Sequence, residues 1–247
     1  MDTLDDLLAL ICAFSRLETL ALDDIGWDVP EASSAHRLPP DLHRLHLGSL
    51  YKRDLLKWMR KQCPVPLVKH LSLGAVSPAD ATEIGEYIAV ANSQLQSLRV
   101  AFNSLDAGGD AEDFSKAVDL SRCTALRSLW VDDLVYFALF RLTSPFPWLA
   151  QIIQQTATLP ALTHITLTLG IDTAEQLDAS EKPAHWTVLD AAFAPPAFAR
   201  LAALDVLVCG EAALHAADAA IRAKLPICAS RGGLLRIAAG DGAGIWD

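Results

Sequence analysis

One short pattern of apolar residues recurs along the whole chain. The pattern is apolar-x-x-apolar-x-apolar, and leucine, isoleucine or valine fills its first, fourth and sixth positions in every full copy. Seven copies begin at positions 17, 42, 68, 95, 126, 162 and 201, and a degenerate eighth copy lies at Leu234, Leu235 and Ile237. The spacing between successive starts lengthens from 25 to 39 residues. Recurrence of this kind predicts a protein built from structural repeats.

Each copy predicts a short β-strand with one buried face. Its fourth and sixth residues are apolar and its third and fifth residues are mostly polar, which is the period of two expected of a half-buried strand. Segments with the apolar spacing of a helix lie around and between the copies. They cover residues 7–14, 54–62, 78–92, 147–158 and 212–223.

A strand followed by a helix cannot bury its apolar side alone, so such units have to stack on one another. The chain is therefore predicted to be an α/β protein, a leucine-rich-repeat solenoid of about seven or eight irregular repeats. Its curved parallel sheet should form the concave side and its helices the convex side. We expect a single domain over residues 1–247.

Composition and charge exclude several classes of function. The chain is 52% hydrophobic, yet it has no run near the roughly 18 apolar residues that a membrane span requires. Its net charge of -10 and lack of basic runs disfavour nucleic acid and anionic membranes as partners. Five cysteines without a C-x-x-C motif indicate reduced thiols, and therefore a cytoplasmic or nuclear protein.

Two long intervals between repeats are rich in acidic residues. Residues 103–116 contain Gly108 and Gly109 among four carboxylates, and residues 171–183 contain four more. Both intervals are predicted to be solvated loops inserted between strands. The Ala-rich segment 195–239 is predicted to cap the C-terminal end, because terminal repeats have to cover the core.

Several phrases resemble the leucine-rich repeats of the F-box/leucine-rich-repeat proteins of mushroom-type fungi. They are Leu17-Glu18-Thr19-Leu20-Ala21-Leu22, Leu126-Arg127-Ser128-Leu129-Trp130-Val131, Ile84-Gly85-Glu86-Tyr87-Ile88, and Leu225-Pro226 followed by Arg231-Gly232-Gly233-Leu234. The resemblance covers about residues 4–238 and concerns the repeat region only. In that family an F-box docks to a cullin-ligase adaptor, and the repeats select substrates for ubiquitination.

The F-box itself is not recognised in this sequence. The segment Leu38-Pro39-Pro40-Asp41-Leu42 superficially matches an F-box opening, but Leu42 already belongs to the second repeat. The resemblance therefore implies a protein-protein interaction scaffold similar to the substrate-recognition repeats of a ubiquitin-ligase adaptor. Binding to the cullin-ligase adaptor is expected only if an F-box lies upstream of this sequence.

The repeat register predicts which side chains project from the concave face. These are the third and fifth residues of each copy, since the fourth and sixth point inward. In the middle of the stack they include a basic and aromatic set, namely Arg44, His46, His70, Arg99, Trp130 and His164. Arg and Trp dominate interface hot spots, so we expect an acidic or aromatic segment of an unidentified protein or peptide to bind here. The alternative is that these side chains only make the surface soluble.

The sequence gives weaker evidence for a metal site or for a functional pair of carboxylates than for this binding surface. His43 and His46 are three residues apart on a strand and face opposite sides, so no metal site is predicted, and these histidines are interpreted as solvated. The pairs Asp23-Asp24 and Asp132-Asp133 are interpreted as turn and helix-start residues that accept backbone N–H groups.

No familiar catalytic motif is present, so we expect a non-enzymatic protein without a cofactor. Two alternatives stay open. One is an enzyme or enzyme-regulatory subunit that uses the repeat scaffold. A cluster of polar side chains converging within about 4 Å in a closed pocket would indicate it, and the repeat register does not predict such a cluster. The other is a degenerate duplicate without a partner.

Overall fold

The strands of the protein form one parallel sheet in the order of the sequence. The computed structural model describes residues 3–23, 25–30, 36–48, 52–102, 105–134, 143–180 and 182–240. In these residues the sheet has eight strands, ordered β1 to β8 from one edge to the other. They are β1 (Thr19–Leu22), β2 (Arg44–Leu47), β3 (His70–Ala75), β4 (Ser97–Ala101), β5 (Ser128–Leu134), β6 (His164–Gly170), β7 (Ala203–Cys209) and β8 (Leu235–Ala239).

Helices precede β1 and connect most of the later strands. They are α1 (Leu4–Cys12), α2 (Lys52–Arg60), α3 (Pro78–Ala91), α4 (Ala107–Ala117), the 3₁₀ turn Leu120–Arg122, α5 (Phe146–Gln155), α6 (Gln176–Ser180), α7 (Pro183–Ala192), α8 (Leu214–Lys224) and α9 (Pro226–Ser230). The five predicted helical segments correspond to α1, α2, α3, α5 and α8, with ends that differ by up to three residues. The α/β class with a parallel sheet is confirmed.

Strand pairing aligns the repeats as the apolar pattern predicts. The fourth residue of each copy pairs with the fourth residue of the next copy, in the series Leu20, Leu45, Leu71, Leu98, Leu129, Ile165, Leu204 and Leu235. From Leu45 onward every member of this series is buried. Alternation with a period of two therefore places this series of apolar side chains, called the apolar ladder below, on the core side of the sheet. The degenerate eighth copy forms strand β8.

One continuous core runs from Leu4 in α1 to Leu235 in β8. Neighbouring helices contact one another along the chain, α2 with α3, α3 with α4, and α4 with α5. Each repeat thus shares its apolar side chains with the repeats beside it. Among the helices of the described residues, none has the length and apolar character needed to cross a membrane.

The interval 103–116 is not the solvated loop that the sequence predicts. Residues 107–117 form α4, whose first turn is capped by the Asp106 carboxylate accepting from the Gly109 N–H. The α4 side chains of Ala111 and Phe114 are fully buried. A Cβ at Gly108 would lie 2.5 Å from the Thr143 hydroxyl, so this glycine permits close packing and does not mark a flexible turn. Residues 103 and 104 lie outside the described part.

The interval 171–183 also contains regular structure. Helix α6 occupies part of it, and Ile171 and Leu177 bury their side chains. Glu181 lies outside the described residues. Farther along, the segment predicted to form the C-terminal cap holds β7, α8, α9 and β8. The buried Asp190 of α7 accepts from the N–H groups of Ile227 and Cys228, which ties α9 to the rest of the core.

A buried lysine joins the ends of two strands to two helices. Lys52, the first residue of α2, donates from Nζ to the carbonyl oxygens of Gly48 at 2.9 Å and Ala75 at 2.6 Å. Its Nζ also lies 3.7 Å from Oδ2 of Asp80 in the first turn of α3. Burial lowers the pKa of Lys52, and the Asp80 carboxylate opposes that shift. The apolar pattern of the sequence does not predict this contact.

Candidate functional site

The face of the sheet turned away from the apolar ladder carries two rows of aligned side chains. The first row is Thr19, Arg44, His70, Ser97, Ser128, His164 and Ala203. The second row is Ala21, His46, Ser72, Arg99, Trp130, Thr166, Asp205 and Arg236. These rows are the third and fifth positions of the repeats, so the predicted register is confirmed.

The first row contains three of the six predicted binding residues. Arg44 and His70 pair across β2 and β3 and are partly exposed. Burial lowers the pKa of His70, and the neighbouring Arg44 charge lowers it further. His164 lies three strands beyond His70 and is exposed, with Nδ1 2.9 Å from the Thr163 hydroxyl. The basic character of this row is therefore concentrated on β2 and β3.

The second row contains the other three residues, and two of them form a fixed pair. The Arg99 guanidinium lies 4.4 Å from the centroid of the Trp130 ring, a cation–π distance. Arg99 Nε also donates to Oδ2 of Asp132 at 2.5 Å. Trp130 Nε1 donates to the Thr168 hydroxyl at 2.9 Å, and that hydroxyl donates to Oδ1 of Asp132 at 2.7 Å. Four side chains thus hold one another in place.

The interpretation of the aspartate pairs is wrong for Asp132. This residue lies within β5, and its carboxylate accepts from side chains rather than from the N–H groups of a turn or a helix start. Asp133 follows with a positive φ of 57°. Asp23 directs its carboxylate toward His46, at 3.8 Å from Nε2. Asp24 lies outside the described residues.

A cleft of about 180 Å³ lies beside the second row, between Asp23 on one side and Asp132 on the other. His46, Ser72 and Arg99 also line it. Glycine makes this cleft sterically feasible. A Cβ at Gly48 would lie 2.2 Å from Oδ1 of Asp23, and one at Gly74 would lie 2.9 Å from the backbone of Gly48.

His46 is buried in the wall of this cleft, with 8% of its surface exposed, so the solvated interpretation is wrong for this histidine. Its Nδ1 lies 2.9 Å from the Ser72 hydroxyl, the residue opposite it on β3. Burial lowers the pKa of His46, whereas the Asp23 carboxylate opposes the shift. The repeat register places Ser72 on this face, as the fifth residue of the third copy, but does not connect it with His46. The signal was their 26-residue separation, which equals one repeat.

We expect the lowered pKa of His46 to make the fold sensitive to acid. As pH falls through the ordinary histidine pKa of about 6.5, this histidine becomes protonated in the unfolded chain. In the folded protein it becomes protonated only at lower pH, because its pKa is lower there. Stability contributed by neutral His46 is therefore lost as pH falls from 6.5 toward the lower folded pKa. Urea unfolding of the parent and His46→Gln at pH 7.5 and 5.5 should show a smaller acid-induced loss in the variant. Equal losses would contradict the burial of the imidazole.

Metal and thiol sites are built from His, Cys, Asp and Glu side chains. Across the residues that the structure describes, no group of three or more His, Cys, Asp or Glu side chains is arranged to hold a metal ion. The five cysteines, all of which lie in the described residues, form no disulfide bond with one another. Burial raises the pKa of Cys123 to about 11, helped by the Asp119 charge, so this thiol is protonated at neutral pH.

No family model matches the chain, and no curated protein or solved structure is significantly similar to it.

Proposed function

We propose that the protein is a leucine-rich-repeat solenoid that binds a segment of another protein on the concave side of its sheet. The observation that carries this proposal is the Arg99–Trp130 pair, held by Asp132 and Thr168 in the middle of the second row. Fixed side chains lose little entropy when a partner binds. Arginine and tryptophan are also the residue types that contribute most to interfaces.

The chemistry of the partner segment follows from the first row. Arg44 supplies a permanent positive charge on a protein whose net charge is -10. His43 and Lys69 lie close enough to His70 to lower its pKa, as Arg44 does, so the surroundings of His70 are electrostatically positive. Acidic residues of a partner segment would therefore be attracted to the positive charge on β2 and β3. An aromatic or apolar residue of the same segment would contact Trp130.

The wider role rests on the resemblance of the repeats. A scaffold of this kind would select substrates for a ubiquitin ligase in the cytoplasm or nucleus. Attachment to the cullin-ligase adaptor would require an F-box outside this sequence. An unknown protein or peptide is thus the proposed partner, and the second-row pair is its proposed anchor.

Selection of peptides from a random phage-displayed library tests the proposal. We expect the parent protein to enrich peptides that combine acidic and aromatic residues. Changing Arg44→Glu together with Trp130→Ala should weaken the selected peptides about 30-fold or more, since hot-spot side chains contribute about 2 kcal/mol or more. Arg53→Glu is the matched control, because this residue has the same charge and lies exposed on α2.

Two results would overturn the proposed binding surface. One is enrichment of no peptide family by the folded parent protein. The other is equal loss of affinity in the control and in the double variant, which would indicate a general charge effect. Circular dichroism of all three proteins establishes that each has folded.

A further inference from the structure

We propose that Ser72, His46 and Asp23 form a nucleophilic site that hydrolyses small, uncharged carboxylic esters in the cleft. This activity goes beyond protein recognition and does not depend on it. The arrangement is a nucleophile in hydrogen-bond contact with a base whose other nitrogen faces a carboxylate, which is the signature of covalent acyl transfer.

The strand register creates the arrangement from three neighbouring strands. His46 of β2 and Ser72 of β3 are direct partners in the parallel ladder, with Nδ1 and the hydroxyl oxygen 2.9 Å apart. Asp23 directly follows β1, the strand on the other side of β2. Its Oδ1 lies 3.8 Å from Nε2 of His46. Gly48 leaves the space into which this carboxylate fits.

The cleft determines what can reach the serine. Ser72 is buried, with 3% of its surface exposed, but it lines the cleft together with His46 and Asp23. The volume of about 180 Å³ accommodates about six water-sized groups at about 30 Å³ each, enough for a short acyl chain. Asp23, Asp132 and Asp133 line the same space, so an anionic substrate would be repelled.

Hydrolysis by this site needs only the side chains of Ser72, His46 and Arg99, the ester and one water molecule. The Ser72 oxygen attacks the ester carbonyl carbon while its proton passes to Nδ1 of His46. Arg99, the residue opposite Ser72 on β4, supplies positive charge beside the oxyanion. The C–O bond to the alcohol breaks, and His46 returns the proton to the leaving oxygen. Water then attacks the acyl-serine with His46 as base, which releases the carboxylic acid and restores the serine.

Asp23 is a positioning residue rather than a catalytic one, because it acts through His46. Its charge opposes the lowering of the His46 pKa by burial. Burial outweighs that charge and lowers the pKa of His46, so at neutral pH the imidazole is unprotonated and able to accept the serine proton. Removing the charge, as in Asp23→Asn, should slow the reaction and move the midpoint of its pH profile to lower pH.

A purely structural role for the Ser72–His46 hydrogen bond makes a different prediction. Buried polar groups are nearly always hydrogen-bonded. In a structural role, the Ser72 hydroxyl and the His46 imidazole would only serve as hydrogen-bond partners for each other. In that case the serine would not react with electrophiles, and no pH dependence would follow Asp23. Covalent labelling separates the two roles directly.

The test uses a fluorophosphonate probe and p-nitrophenyl acetate on the full chain. We expect the probe to modify Ser72, as located by peptide mass spectrometry, and the ester to be hydrolysed. Labelling and turnover should disappear in Ser72→Ala and fall at least about 100-fold in His46→Gln. Ser128→Ala is the matched control, because Ser128 lies on the same face with Ser97 and His164 as its strand partners.

Three outcomes decide the matter. Labelling at Ser72 that is lost in His46→Gln and retained in Ser128→Ala supports the site. Absence of labelling in the folded parent overturns it, and so does labelling that persists in Ser72→Ala. If Ser72→Ala does not fold, Ser72→Cys gives the same decision. Its thiol should react with iodoacetamide faster than the exposed Cys63, and an equal or slower rate overturns the site.

Discussion

Replacing Phe114 with alanine should lower the free energy of unfolding by about 3–5 kcal/mol, the usual cost of removing a buried phenylalanine. Phe114 is fully buried in α4. Its ring meets that of Phe102 edge to face, with 5.6 Å between centroids. Truncation removes this contact and leaves a cavity between the helix and the end of β4. Urea denaturation followed by circular dichroism measures the change.

Leu105→Ala is the matched control for this prediction. Leu105 lies just before α4 and is 64% exposed, so its truncation should change stability by no more than about 0.5 kcal/mol. If Phe114→Ala cost no more than Leu105→Ala, residues 107–117 would not be packed on the core. The solvated-loop interpretation of this interval would then be correct.

Replacing Lys52 with methionine should cost about 3 kcal/mol or more, although methionine fills much of the same volume. The change leaves the carbonyl oxygens of Gly48 and Ala75 without the Nζ donor. It also removes the cation beside Asp80, which is itself buried. Buried acceptors without donors and buried charges without partners are among the most destabilising defects. Thermal and urea unfolding at neutral pH measure the loss.

Lys57→Met provides the comparison on the same helix. Lys57 is exposed in the middle of α2, so loss of its charge should have little effect on stability. A Lys52→Met variant as stable as Lys57→Met would show that the buried amine contributes nothing beyond its apolar stem. The expected difference therefore isolates the hydrogen bonds and the ion pair of Lys52.

The positions of the strands could be predicted because each one repeats the same apolar alternation. The residues Leu45, Leu71 and Leu98 differ little in their surroundings, so one rule describes them all. Helix α4 could not be predicted in this way. Its sequence combines two glycines with several acids, which is typical of loops, and its helical state depends on the Asp106 cap and on burial of Phe114. Tertiary packing here outweighs local propensity.

The rows of the candidate site followed from register, but the contacts within them did not. Register places Arg99 beside Trp130, yet it does not reveal that Asp132 and Thr168 hold the pair. It likewise places His46 opposite Ser72 without showing that both are buried. These contacts depend on rotamers and on the small size of neighbouring residues, which a period of two does not encode.

The order of the strands also has a consequence for how the protein folds. In the described residues each strand pairs only with the strands before and after it in the sequence. Every step of sheet formation therefore closes a chain segment about one repeat long, and no step has to join the two ends of the molecule. The entropy cost of closing a loop grows only slowly with its length, so each added repeat meets a similar small barrier. Folding can begin at any well-packed pair of repeats and spread outward in both directions.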